Sequence, residues 1–429
     1  MCGTESVGVK LLLNNPDRFG FYTVGDFKTY SKLEAVEHSG AVHKPVEWHF
    51  NRQQYEAIDW TQEPPGSLEF WYAERARQIR EKYDYIVLWY SGGADSHNAL
   101  MSFVKNNIFI DEIAQFHNLQ GVNGDKTSWL NEEVFSTSAP ITQHLIDTNP
   151  IYRNTKHRMV DLSEIQTNLL FDKDNKWDYF YQVGKFLSPN TLARSYLRES
   201  VTDYQTLFDQ GKSVCFIHGH EKPHVKSSAN QWYFVFRDSL DNAVTPRTQM
   251  RNCPWEHDEL FYWSDSLPQL IVKQAHVIKR YMSQLTPDMA DNIHVYTPCT
   301  IGPLHNSSLP MLNEHGKAVP TFFCGQSIVN NIEYRLLPHG LHRLIYPDWV
   351  PESIVCGKPA SLAYSNRDLW MFNSSAPNIG QHYYNNGLVH LRQLVKQTNP
   401  DYWWEHKFNR SSGIPYMGGF KELTQQYQI

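Results

Sequence analysis

The sequence predicts an α/β protein built on a doubly wound parallel sheet, and three observations carry that expectation. Residues 83–90, Tyr83-Asp84-Tyr85-Ile86-Val87-Leu88-Trp89-Tyr90, form a nearly unbroken apolar run, the pattern of a strand covered on both faces. A glycine-bearing turn, Ser91-Gly92-Gly93-Ala94-Asp95-Ser96, follows it directly and opens a helical pattern. Strand-like and helical stretches then alternate to about residue 240, the order that a parallel sheet with crossover helices requires.

Taken in order, residues 1–75 mix Pro, Gly and charge with short apolar runs, and Gln62-Glu63-Pro64-Pro65-Gly66 reads as a turn. A helix fits residues 67–82, with Phe70, Ala73, Ala76, Ile79 and Arg80 on the packed side and Glu74, Arg75 and Lys82 facing water. After the glycine turn, Ala99, Leu100, Phe103 and Val104 give residues 95–107 a helical period, and residues 112–117 read as the next strand. Strand, turn, helix and strand make a βαβ unit. Further strands fit residues 157–162 and 213–218, the latter ending at Gly219, with a helix at 188–199 between them. Residues 232–236 look like an antiparallel edge strand. Beyond Pro246 the character changes to one clear helix at 267–285 and then a region rich in Pro, Asn and His. These shifts divide the chain into an N-terminal region (1–75), a central α/β domain that carries the glycine turn (76–245) and a C-terminal region (246–429), in keeping with about two or three domains for this length.

Composition narrows the class. The chain holds 41% hydrophobic and 20% charged residues, and no run approaches the ~18 apolar residues of a membrane span. Neither a secretory signal nor a transit peptide is visible at the start. A net charge of −6 supplies no field that would draw the chain onto nucleic acid, which is unsupported though not excluded. Six cysteines stand without any C-x-x-C pair, which argues against a zinc ribbon or a disulfide framework and for reduced thiols in a cytoplasmic protein.

The turn at 91–96 carries the chemistry. Its glycines let backbone approach phosphate oxygens without Cβ clashes, and amides at a helix start face negative charge. Ser91 and Ser96 add hydroxyls. Asp95 beside a polyanion makes sense once a divalent metal stands between them, because hard cations are held by one or two carboxylates plus phosphate oxygens. A triphosphate and Mg²⁺ are therefore expected at this turn. The plain alternative is a tight strand-to-helix turn with Asp95 or Ser96 as its cap.

Ser-Gly-Gly-x-Asp-Ser resembles the pyrophosphate loop of the N-type ATP pyrophosphatases, the superfamily of asparagine synthetase, GMP synthetase, NAD synthetase, argininosuccinate synthetase, the tRNA-thiolating enzymes and 7-cyano-7-deazaguanine synthase. The resemblance implies a five-stranded sheet of adenine nucleotide α-hydrolase type and cleavage of ATP to AMP and pyrophosphate. It assigns Ser91, Gly92, Gly93, Asp95 and Ser96 to pyrophosphate and metal contacts. A Walker loop, G-x-x-x-x-G-K-[ST], is absent. The lack of an appended synthetase module gives the chain the look of a phage-encoded relative.

Other candidates lie along the expected rim of the sheet. Gly219 and Lys222 follow the 213–218 strand, where Lys222 would neutralise phosphate or adenylate charge; a charged turn stopped by Pro223 is the bland reading. His218-x-His220 is a weak metal pair without a third ligand. His117 and Asn118 end the second strand, where the superfamily contacts adenine or ribose; a satisfied surface histidine is the plain alternative. Arg194 and Arg198 sit one turn apart, toward the nucleotide or on a solvated face. Lys273, Gln274, His276 and Lys279 read as surface. Cys2-Gly3 resembles the nucleophile of class II glutamine amidotransferases, but about eighty residues before the loop's strand leave no room for that layer, and a nucleophile needs its base and oxyanion donors. Missing cysteines between residues 3 and 214 disfavour thiolation.

The expected activity is an AMP-forming ligase or amidotransferase-like enzyme acting on ATP and a small-molecule or nucleotide substrate, with a homo-oligomer compatible with the aromatic-rich C-terminal region. Two rivals are a phosphoadenosine phosphosulfate reductase-like enzyme and a nucleotide-binding module without turnover.

Overall fold

The computed structural model describes residues 15–117, 134–165, 189–219, 224–228, 231–238, 246–251, 253–283 and 423–429, with a few isolated residues and two-residue strands besides. Strands β1 (Phe21–Val24), β2 (Phe27–Thr29) and β3 (Glu47–His49) form a small antiparallel sheet in the order β2-β1-β3, with helix α1 (Lys32–Val42) between β2 and β3. A short helix α2 (Arg52–Glu56) leads to α3 (Leu68–Lys82), whose N-cap Ser67 accepts a hydrogen bond from the Phe70 amide.

Five parallel strands make the central sheet: β4 (Tyr85–Trp89), β5 (Glu112–His117), β6 (Lys156–Asp161), β7 (Val214–His218) and, after the antiparallel pair β8 (His224–Ser228) and β9 (Gln231–Arg237), β10 (Glu256–Leu260). Their spatial order is β10-β7-β4-β5-β6. The chain thus lays down its first three sheet strands outward from β4, then returns to the other side of β4 for the last two. Strand order reverses between β4 and β7, and in open α/β sheets that switch point, at the carboxyl ends of the strands, is where ligands bind.

Both faces of the sheet are covered, as its apolar strands require. Ile86, Leu88, Tyr90, Ile113, Cys215 and Ile217 join a core shared with α3, α4 (Ala94–Val104) and a later helix. Val87, Trp89, Ala114, Phe116, Val214 and Phe216 alternate onto the opposite face. There they meet Leu197 of α6 (Pro189–Ser200) and Tyr204 and Phe208 of α7 (Thr202–Asp209), while α5 (Ala139–Thr148) lies between β5 and β6 in sequence. The arrangement is compatible with a Rossmann-like doubly wound fold.

Several expectations need correction. The buried stripe of α3 is Leu68, Tyr72, Arg75, Ala76 and Ile79; Phe70, expected inside, is 51% exposed, and Arg75, expected in water, is 2% exposed. Arg75 goes inward because a carboxylate, Glu259, waits for it at 2.7 Å. Residues 231–237 do not edge the parallel sheet. They form the middle strand of a separate antiparallel sheet, between β8 and a strand at Thr424–Gln428. The fifth parallel strand, β10, lies past residue 245, so the sheet continues beyond the point where the composition changes. The short helix α8 (Pro246–Met250) precedes it, and α9 (Gln269–Ser283) follows it and packs on α3. On α9, Lys273, Gln274 and His276 are buried, not surface: Lys273 pairs with Glu63 at 2.5 Å, the Gln274 amide donates to the Tyr72 hydroxyl at 2.9 Å, and His276 Nε2 lies 2.8 Å from the Trp60 carbonyl. Among the described residues no helix is long and apolar enough to cross a membrane.

Candidate functional site

The site begins where β4 ends. The Tyr90 amide donates to the Ala114 carbonyl of β5, and the chain then leaves the sheet. Gly92 turns it with φ +94°, a left-handed backbone that costs a residue with a side chain roughly 1–2 kcal/mol. Gly93 follows in an extended conformation as the N-cap of α4. The two serines staple this turn to itself. The Gly93 amide donates to Ser91 Oγ (3.2 Å), the Ser91 amide donates to Ser96 Oγ (3.2 Å), and Ser96 Oγ donates to the Gly93 carbonyl (3.2 Å). Since that last bond uses the Ser96 proton, Ser91 Oγ is the donor in the 3.0 Å hydroxyl pair. The hydroxyls thus fix the shape of the loop, and the first-turn amides of α4, which have no intrahelical carbonyl to meet, point off its end.

Gly219, at the exit of β7, closes the other side. A Cβ there would lie 2.8 Å from Ser96 Cα and 3.2 Å from both the Asp95 carbonyl oxygen and the Ser96 amide nitrogen, so only glycine lets β7 approach the first turn of α4 this closely. The structure therefore brings Gly219 together with Ser91, Gly92, Gly93, Asp95 and Ser96 at the switch point. Asp95 is 8% exposed, and its main-chain carbonyl accepts a 2.6 Å hydrogen bond from the Tyr262 hydroxyl. His117 ends β5 on the same rim; its ring lies 5.1 Å from that of Phe135, and its Nδ1 is 3.9 Å from Asp161 Oδ2. Lys222, His220 and Asn118 lie outside the described residues, as does Cys2.

Sequence reasoning missed the charged edge strand beside the site. β10 reads Glu256-His257-Asp258-Glu259-Leu260, and each of its four charged or polar side chains is buried. On one face Asp258 accepts from Arg198 at 2.8 and 2.5 Å and lies 2.6 Å from His218 Nε2; Glu256 meets Arg198 at 3.2 Å and Arg251 at 3.0 Å. Burial alone would raise the Asp258 carboxyl, but the Arg198 guanidinium and His218 hold it well below the usual range. Arg198, weighed as a nucleotide contact or a solvated residue, is neither: it is 2% exposed and lies 4.0 Å over the Phe216 ring. The side chain of Arg194 falls outside the described set. His218 lies 2.6 Å from Asp258, and no cluster of three metal-ligating side chains occurs among the described residues, which do not include His220.

On the opposite face Glu259 receives Arg18 (2.5 Å), Arg75 (2.7 Å), Lys82 (3.0 Å) and the Tyr83 hydroxyl. Here burial is outweighed first by Arg18, then by Arg75 and Lys82, and the carboxyl is held well below its ordinary value. His257 shares this face, 5.1 Å from the Tyr83 ring, and burial, with Lys82 and Arg18 adding to it against Glu259 and Asp258, lowers it to about 4. The unfolded chain, with an ordinary histidine value, binds the proton more readily between those limits. Stability should therefore fall as pH drops from about 6.5 to 4, by up to about 1.4 kcal/mol per pH unit for this one residue. His49, His157 and His276 are lowered too, so the slope has several contributors. Urea midpoints at pH 7 and pH 5 should converge in His257→Gln relative to the unaltered chain; an identical slope in both would contradict the assignment.

The cysteine thiol in β7, Cys215, is fully buried, and burial pushes it well above its ordinary value, which suits packing and not nucleophilic work. Comparison with protein-family models, with curated proteins and with solved structures returned no match to this chain.

Proposed function

We propose that the turn at residues 91–96 seats the β and γ phosphates of ATP and that the protein is an AMP-forming enzyme of the ATP pyrophosphatase kind. The observation that carries this reading is the pairing of a serine-stapled, glycine-turned helix start with Gly219 at the switch point of a parallel sheet. Strand order supports it, because the reversal between β4 and β7 opens the crevice where a nucleotide would lie with its phosphates on α4.

The residues fit a polyphosphate: the seat is made of backbone amides, and no side chain beyond Cα crowds it at Gly92 or Gly93. They also fit a shared divalent cation. Asp95 offers one carboxylate at the first turn, and Mg²⁺ held there would take its remaining oxygens from phosphate and water, supplying charge neutralisation for the leaving pyrophosphate. By the resemblance, His117, which ends the neighbouring strand, would meet adenine or ribose, and Lys222, which follows Gly219 in sequence, would be a cation for the α-phosphate. A carboxylate or carbonyl oxygen of the second substrate would attack the α-phosphorus as its bond to the bridging oxygen of pyrophosphate breaks. Ammonia or another nucleophile would then attack the activated carbon and expel AMP. Catalysis would rest mainly on positioning and charge stabilisation, with little need for a covalent protein nucleophile.

ATP labelled at the α position and incubated with Mg²⁺ and a panel of carboxylate and amide metabolites should yield labelled AMP with an equivalent of pyrophosphate. Release of ADP and phosphate would overturn the reaction type, and tight binding without turnover would make the protein a nucleotide sensor.

A further inference from the structure

We infer that Tyr262 is a positioning residue for phosphate binding, acting through the Asp95–Ser96 peptide group; this rests on the phosphate-seat reading above. Tyr262 is fully buried, and its hydroxyl donates to the Asp95 carbonyl at 2.6 Å while accepting from Asn98 Nδ2 at 3.1 Å. That carbonyl belongs to the same peptide unit as the Ser96 amide. A donor on the oxygen polarises the unit and makes its N–H a stronger donor, and the Asn98 bond reinforces the effect because hydrogen bonds in series polarise one another. The chain of bonds runs from Asn98 through Tyr262 and the Asp95 carbonyl to an amide in the first turn of α4, where phosphate would sit.

Geometry gives Tyr262 little freedom to do anything else. Its ring stands edge-on to Tyr72 (6.0 Å, 79°) and Phe261 (5.0 Å, 83°). The main chain that delivers it is tied on both sides: Arg75 donates to the Leu260 carbonyl (3.0 Å) and the Phe261 carbonyl (3.1 Å), and the Phe261 amide donates to the His218 carbonyl (2.9 Å). Gly219 presses on the same peptide group from the β7 side, its Cβ position 3.2 Å from the Asp95 oxygen. Two chain segments far apart in sequence, 218–219 and 260–262, therefore aim one amide.

The test is Tyr262→Phe, which keeps the ring and removes only the hydroxyl, with Tyr55→Phe as comparison. Tyr55 is equally buried and belongs to a neighbouring aromatic cluster; its hydroxyl lies 3.4 Å from the Ser264 carbonyl and touches no part of the loop. Calorimetric titration with Mg·ATP, Mg·pyrophosphate and adenosine is expected to show Tyr262→Phe weakened about tenfold toward ATP and pyrophosphate alike, the loss of roughly one hydrogen bond's worth of affinity, with adenosine unchanged. Tyr55→Phe should stay within about twofold for all three. A general loosening would weaken adenosine too and would overturn the inference, as would unchanged pyrophosphate affinity in Tyr262→Phe. If the unaltered protein bound neither ATP nor pyrophosphate, the phosphate seat itself would be refuted, a result distinct from both.

Discussion

Replacing Glu259 with leucine is expected to destabilise the protein by about 3–5 kcal/mol, the cost of stripping a buried charge from its partners. The expectation follows from where the carboxylate sits. Two guanidiniums, one ammonium and a phenol converge on it, and Glu259 and Arg75 are both almost wholly buried. Leucine would leave Arg18, Arg75 and Lys82 facing one another across an apolar side chain, and Arg75, at 2% exposure, would have no water to replace the carboxylate. The same carboxylate joins three parts of the chain, since Arg18 precedes β1, Arg75 lies on α3 and Glu259 edges the sheet. Its loss should therefore lower the cooperativity of unfolding as well as its midpoint. Urea denaturation followed by circular dichroism measures both. A shift under about 1 kcal/mol would mean that the cations find other partners and that the cluster is not a structural anchor. Arg75→Met in the Glu259→Leu background should recover part of the loss, because it removes the most buried of the stranded charges.

This cluster also explains which parts of the molecule the sequence revealed. β4, β5 and β7 were legible because their apolar residues alternate onto two covered faces, as Val87 and Trp89 against Ile86 and Leu88 do. The loop was legible because Gly92 must adopt a positive φ and nothing but glycine does so cheaply. β10 was not legible, because its pattern is charge on both faces, and charge is ordinarily read as solvent-facing. Arg251 lies five residues from Glu256, but the other partners, Arg198, Lys82, Arg75 and Arg18, come from 58 to 241 residues away, and no local window contains them. Arg75 was misplaced for the same reason: helical period puts it at the border of the apolar stripe, and only Glu259 decides the side. Within the site, the role of Gly219 as a contact point and the reach of Tyr262 to Asp95 are tertiary facts, absent from any spacing.

Gly219→Ala is the sharpest test of the switch-point site, because it adds one methyl group at the place where β7 meets the loop helix. Gly219 lies outside the positive-φ glycines, so alanine meets no backbone strain there, in contrast to Gly92. What it meets is main chain: Ser96 Cα at 2.8 Å, with the Asp95 oxygen and Ser96 nitrogen at 3.2 Å. A flexible side chain could swing aside, but these atoms belong to a helix turn stapled by Ser91, Ser96 and Tyr262. Either α4 or the end of β7 must give way by several tenths of an ångström. The cost in stability should be about 1–3 kcal/mol, typical of overpacking, and the protein should remain folded. The cost in nucleotide binding should be comparable in free energy, about ten- to a hundredfold in affinity for Mg·ATP, since the shift weakens one or two amide contacts of a preorganised seat. Thermal unfolding and calorimetric titration on the same preparation separate the two losses. Should Gly219→Ala bind ATP as the unaltered chain does while losing the expected stability, the close approach of β7 would be a packing feature alone, and the phosphate seat would have to be built by the loop without its neighbour.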